Sequence, residues 1–193
     1  MLTQNKVNPQ FSPESIARLT PEKKKQVIRD LEILEKIRAR AGLIRFAEYI
    51  DPAAGRWYRA KHLKMIASIL ERVERGELKR VIISVPPRHW KSSLASEKFP
   101  AWYLGRNPQA AVIISSYALS LAEKFSRSVR ETITSNTRYA QLFDVRVKRD
   151  SNRSDDWTLT TGVRSSLRAV GVGGGITGSG AQLILIDDPV ADY

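Results

Sequence analysis

Four side chains could together handle a phosphate group: Lys91 and Ser92 in mid-chain, and Asp187 and Asp188 near the end. A lysine followed by a hydroxyl residue, where a strand gives way to a helix, is the layout of a phosphate-binding loop. Backbone N–H groups at the start of that helix would face the phosphates, and the helix dipole favours negative charge there. Lys91 would reach the β- and γ-phosphates of ATP, and the Ser92 hydroxyl would ligate Mg²⁺. Asp187 closes the apolar run Leu183-Ile184-Leu185-Ile186. An aspartate carried to the metal at the end of a buried strand is the complementary half of such an ATPase. Each half also has a plainer reading. A Lys-Ser pair after a strand is weak by itself, and Asp187-Asp188-Pro189 fits an Asx-type turn. The two halves in this order favour the nucleotide reading.

The elements that must position these groups are legible as alternating apolar runs and turns. Val81-Ile82-Ile83-Ser84-Val85 predicts a short buried strand. Pro86 and Pro87 lack N–H groups and fix φ, so that strand stops there. The phosphate cradle would then comprise Pro87, Arg88, His89, Trp90, Lys91, Ser92 and Ser93. Against the pattern G-x-x-x-x-G-K-[ST], Val85 and Trp90 stand at the glycine positions. Glycine before the lysine tolerates positive φ and lets the backbone approach a phosphate, and tryptophan does neither easily. Residues 92–104 predict a helix that Pro100 kinks or divides. Residues 110–115 predict a second buried strand, and a helix is expected from about Leu119 to Ser135. Residues 157–160 and 166–170 would pair as a hairpin across Gly162. The glycine-rich stretch from Gly171 to Gly180 contains G-x-G-x-x-G, but a strand follows it where a dinucleotide site requires a helix. It is expected to be a mobile loop near the nucleotide or DNA.

Taken together, these blocks resemble the ATPase half of the large terminase subunit of tailed bacteriophages, the motor that packages DNA. The resemblance rests on Pro86-Pro87-Arg88-His89-x-Lys91-Ser92, on residues 99–105, and on Ser115-Ser116-Tyr117 with Leu121-Ala122 and Ser126-Arg127. It rests also on residues 171–178 and on Ile186-Asp187-Asp188-Pro189-Val190, and covers about residues 57 to 193. It implies an α/β fold like that of P-loop NTPases: a mainly parallel sheet flanked by helices, with an N-terminal helical segment over residues 1–56 and the ATPase domain over 57–193. It implies ATP and Mg²⁺ as cofactors. Lys91, Asp188 and Arg88 would be catalytic: Asp188 at the place of the glutamate that orients the attacking water, Arg88 neutralising charge on the transferred group. Ser92 and Asp187 would hold the metal. Trp57, Tyr58 and His62, ahead of the first strand, would face the adenine, and ordinary packing is the plainer reading for each. The implied partners are double-stranded DNA, the portal and the small terminase subunit, with subunits arranged as a homo-oligomeric ring in the host cytoplasm. Relatives continue into further strands and a nuclease domain with an acidic metal cluster. No such cluster exists here, so the chain by itself is not expected to cut DNA. The alternatives are a helicase-like DNA-dependent ATPase and a non-catalytic basic fragment that binds DNA or protein.

Composition agrees with a polyanionic partner. The formal net charge is +12, from 32 Lys and Arg against 20 Asp and Glu. The excess is 8 over residues 1–80 and 4 over residues 81–193. Such a balance suits nucleic acid or an acidic protein surface, and a solvated basic face is the plainer reading. There is no cysteine, hence no disulfide and no thiolate metal site. No apolar run approaches the roughly 20 residues that span a bilayer, so no membrane association is expected. Residues 1–12 read as loosely attached, and Ser12-Pro13 as a helix start. Thr20-Pro21-Glu22 repeats that start for a helix to about Arg40, with an apolar stripe at Val27, Leu31, Leu34 and Ile37. Lys23 to Lys25 lie in its first turn. A helix over residues 58–75 buries Leu63, Ile66, Ile69, Leu70 and Val73. Lys124, Arg127, Arg130 and Arg138 are candidates for DNA or a neighbouring subunit, with a solvated face the plainer reading.

Overall fold

The computed structural model describes residues 19–151, 153–162, 165–175 and 180–190. The expectations for residues 1–18, and for residues 176–179 of the glycine-rich stretch, lie outside them. The chain begins with helix α1, Pro21–Ala41, whose first turn is capped by Thr20 Oγ1 accepting from Lys23 N–H. Gly42, in an extended conformation, ends it, and α2 follows over Leu43–Ile50. A 3₁₀ turn, Trp57–Arg59, leads into α3, Lys61–Glu74, which stops at Gly76 with φ 75°. Ser93–Lys98 forms a π-helical segment that runs into α4, Phe99–Arg106. Then come β1 (Val112–Ser116), α5 (Leu119–Ser135), α6 (Thr137–Leu142), β2 (Asp156–Trp157), β3 (Leu167–Gly171) and β4 (Leu183–Ile186).

The fold is α/β, with one four-stranded sheet in the order β2-β3-β1-β4. β1 is parallel to both β3 and β4, with Val112 opposite Leu167 and Leu183. β2 runs antiparallel to β3, pairing Trp157 with Leu167 as the hairpin reading expected. The sheet is therefore mixed, with its parallel part around β1. One apolar cluster joins the helices to the sheet, from Ala39, Leu43 and Phe46 through Leu63, Leu94 and Trp102 to Val112, Ile114, Leu167 and Leu183. Trp102 and Trp157 are fully buried, and each indole N–H finds an acceptor, Arg40 O at 3.0 Å and Ser126 Oγ at 2.9 Å. Such pairing is what allows an indole into a core.

One local expectation needs correction. Val81 to Val85 is not a strand. Ile82 is 97% exposed, while Ile83 and Val85 pack against the core from outside. Strand formation is settled by a hydrogen-bonding neighbour, and among the described residues this run has none. Between it and the free edge of β4 lies a slot of about 450 Å³, lined by Val81, Ile83, Leu185 and Ile186. The helix expected with the α1 stripe is present, and on it Leu31, Leu34 and Ile37 are exposed while Ala39 is the buried residue. Pro100 lies in the first turn of α4, where the π-helical segment gives way to it, so the helical run is divided there as expected. The turn before it widens to the π register, with Phe99 N–H donating to Leu94 O, and a ring that would crowd a regular turn is accommodated. No described helix is long and apolar enough to cross a membrane.

Candidate functional site

Lys91 and the two aspartates lie 96 and 97 positions apart in sequence and meet at the carboxyl end of β4. The Lys91 ammonium is 2.7 Å from Asp187 Oδ1 and 2.8 Å from Asp188 Oδ1. The backbone explains how adjacent aspartates reach one lysine. Leu183, Leu185 and Asp187 alternate onto the face of β4 that meets the core, so Asp187 is buried. Asp187 N–H continues the ladder to Ser115 O at 2.9 Å. Asp188 then turns left-handed, φ 45°, and its carbonyl accepts from Tyr117 N–H at 3.1 Å. That turn brings its carboxylate round to the same ammonium.

The opposite wall is the loop from Pro86 to Ser93. Arg88 and Trp90 have φ 63° and 61°, the left-handed region that favours glycine. Trp90 adopts it at the position where the motif has glycine. The compensating contacts are aromatic. The Trp90 indole stacks on Trp57 with centroids 6.1 Å apart and planes 15° from parallel, and Tyr58 meets it edge-on at 5.9 Å. His89 Nδ1–H donates to Pro87 O at 2.8 Å, and His62 Nε2–H donates to His89 O at 3.1 Å, which ties the loop to α3. Arg88, with its side chain on the solvent side, joins Pro87, His89, Trp90, Ser92, Ser93, Tyr117 and Asp188 around an open cavity of about 710 Å³.

Tyr58 is fully buried under this loop, its hydroxyl 3.3 Å from Ser93 Oγ. Burial pushes its phenol up to about 12. Its ring therefore braces the loop from below. Trp57 is half exposed, and it is Trp90 that lines the cavity, while Trp57, Tyr58 and His62 do not.

The buried carboxylate of Asp187 is well served. Ser96 Oγ donates to Oδ2 at 2.8 Å, and Lys91 and Ser92 also donate to it. Burial alone would raise its pKa, but these donors outweigh burial and hold it below the usual carboxylate range. For Lys91, partial burial works against the charge, and the bonds to Asp187 and Asp188 outweigh it and raise its pKa. Next to them, burial pushes the Glu97 carboxyl up, against the pull of Lys98 and the Ser128 hydroxyl. Ser96 and Glu97 were not singled out by sequence. Their one signal was Pro100, which announced an irregular turn ahead of it.

Chemically the site offers an ammonium, a hydroxyl beside a low-pKa carboxylate, and a second carboxylate open to solvent. Among the described residues no group of three or more His, Asp or Glu side chains could hold a metal by itself. Ser92 and Asp187 form a sparse hard-oxygen set, which suits Mg²⁺ held mainly by phosphate oxygens and water. Compared with protein-family models, with curated proteins and with solved structures, the chain finds no match.

Proposed function

We propose that the chain binds ATP in the cavity between the Pro86–Ser93 loop and the end of β4, and hydrolyses it as the ATPase part of a viral DNA-packaging motor. The observation that carries the nucleotide reading is the convergence of Lys91 on Asp187 and Asp188 at 2.7 and 2.8 Å, from segments remote in sequence. An ammonium held mainly by the buried Asp187 would become available to a polyphosphate if Asp187 were instead neutralised by a bound Mg²⁺. Ser92 and Asp187 would hold the metal, which supplies charge neutralisation across the phosphates. Lys91 would then turn to the phosphate oxygens. Asp188, exposed at the cavity rim, accepts a hydrogen bond from the attacking water, and Arg88 offers a guanidinium to the developing charge. Trp90, which lines the cavity and stacks on Trp57, is the ring offered to the base.

The packaging role rests on the terminase resemblance of the sequence blocks, and the net charge of +12 supports a DNA partner. The portal, the small terminase subunit and a ring of subunits belong to the same reading.

The test is equilibrium binding of ATP with Mg²⁺, followed by phosphate release with and without duplex DNA, for the parent chain and Lys91→Ala. The reading expects binding that the variant abolishes. A folded parent chain that binds no nucleotide would refute it.

A further inference from the structure

A second concavity, of about 410 Å³, shares no lining residue with the nucleotide cavity. Five arginines line it: Arg38 from α1, Arg45 from α2, Arg56 and Arg59 from the turn, and Arg138 from α6. Two carboxylates, Glu35 and Glu48, accompany them, which leaves an excess of three positive charges in one basin.

The arginines are held without being neutralised. Glu48, 13% exposed, takes both Arg45 at 3.1 Å and Arg59 at 2.8 Å, and those two side chains remain 62% and 70% exposed. One carboxylate therefore orients two guanidiniums whose remaining N–H groups face solvent. Arg138 donates to Tyr49 O at 3.1 Å and lies 5.7 Å over the Tyr49 ring, partners that carry no charge. Arg56 sits 4.8 Å over the Trp57 ring. Neither Arg38 nor Arg56 makes an ion pair among the described residues. Helix docking accounts for Arg138 and for the Glu48 pairs. Among the described residues Arg38 and Arg56 are left without a carboxylate partner, and five guanidiniums gathered in a hollow with two carboxylates favour a further anion there.

We infer that this basin is a nucleic-acid site, in which the guanidiniums of Arg38, Arg45, Arg56, Arg59 and Arg138 hold backbone phosphates of duplex DNA. Guanidinium forks match the two free oxygens of a phosphodiester, and pre-positioned forks lose little freedom on binding. The inference rests on the DNA half of the reading above and not on ATP binding, because the basin and the nucleotide cavity are lined by different residues. Arg56 and Arg59 flank Trp57 and Tyr58, whose rings meet Trp90, so DNA bound to these arginines would press on the segment that braces Trp90.

Fluorescence anisotropy with a labelled duplex, over a salt series and without nucleotide, tests the site on the full chain. The informative variant is Arg38→Gln/Arg56→Gln, which leaves the Glu48 pairs intact. Every phosphate that a guanidinium no longer neutralises lowers the slope of log K against log [salt] by about 0.9, so the double variant should have a slope shallower by about 1.8 and an affinity weaker by on the order of 50-fold at 0.1 M salt. The comparison variant replaces Lys23, Lys24 and Lys25 by glutamine, which removes more charge at the far end of α1. It should weaken binding less than the arginine pair does. Circular dichroism and melting establish that both variants fold. An unchanged slope in the arginine variant overturns the inference. So does a lysine variant that weakens binding as much, which would make binding a matter of net charge. Displacement of DNA by a polyglutamate peptide at equal concentration would overturn it in favour of an acidic protein partner.

Discussion

Lys91→Met keeps most of the side-chain length and removes the ammonium, so it isolates the charge that joins the loop to β4. The two arms of that ammonium are unequal. The Asp187 side chain is 6% exposed and that of Asp188 is 61% exposed. An ion pair reaching into solvent contributes under about 1 kcal/mol. A buried carboxylate deprived of its cation costs about 3–5 kcal/mol when nothing else compensates. Here Ser92 and Ser96 still donate to Asp187, and Lys91 is itself 23% exposed, so the loss falls below that range. We expect about 2–3 kcal/mol, the scale of a hydrogen bond to a charged group. For a domain of this size that lowers the melting temperature by about 4–12 °C. Urea unfolding of Lys91→Met, Asp187→Asn and the double variant gives the coupling directly. Lys91 and Asp187 should couple by at least about 1 kcal/mol, and Lys91 and Asp188 by clearly less. A Lys91→Met protein as stable as its parent, or stronger coupling to Asp188 than to Asp187, would refute this account of the site.

Three further outcomes follow from local geometry. Gly105→Ala in α4 should destabilise by about 1–3 kcal/mol in urea, reversing the usual helix preference for alanine. Its Cβ would fall 2.5 to 2.8 Å from ring atoms of Phe143, a largely buried side chain. At residue 90, glycine should be more stable than alanine by about 1 kcal/mol, because both lose the Trp57 stack but only alanine keeps the cost of φ 61°. Equal melting of Trp90→Gly and Trp90→Ala would show that the left-handed turn is unstrained. Asp187 has its folded-state pKa held below the ordinary 3.8, so its stabilisation is complete above that pH and is lost as pH falls through the folded value. The stability gap between the parent and Asp187→Asn should therefore be flat above pH 3.8 and close below it. A gap that runs parallel into acid would place the bonds to Asp187 in solvent.

What the sequence made legible was chemistry that depends on local order. The capped start at Thr20, the break at Gly42 and the helix from Leu119 to Ser135 follow from cap residues and apolar spacing, and all three are present. Lys91 also meets Asp187 and Asp188, with the aspartates carried there by β4 and the lysine by a loop that is not preceded by a strand. What sequence does not record is of another kind. Val81 to Val85 has strand composition, but pairing depends on what lies beside it, and no spacing along the chain records that. The α1 stripe has helical periodicity, which fixes the face and not what covers it. Ser96 reaches Asp187 through a π turn, a register that periodicity of 3.6 does not anticipate. The arginine basin draws on five residues spread over a hundred positions, and only packing of α1, α2 and α6 gathers them.

The placing of backbone strain ties these observations together. Among the described residues three non-glycine positions have positive φ: Arg88, Trp90 and Asp188. All three line the same cavity. Such conformations cost on the order of 1 kcal/mol or more each, less for aspartate than for tryptophan, and persist only where their surroundings over-determine them. Those surroundings are visible here: the Trp57 stack on Trp90, the His62 and His89 bonds to the loop carbonyls, and the Tyr117 and Lys91 bonds to Asp188. Glycine at residue 90 would have made the same turn without strain. A tryptophan there accepts the strain and gains a ring contact with the turn that carries Arg56 and Arg59. The loop that holds Lys91 is thereby mechanically joined to the basic basin, which is the arrangement required if DNA held at one is to be felt at the other.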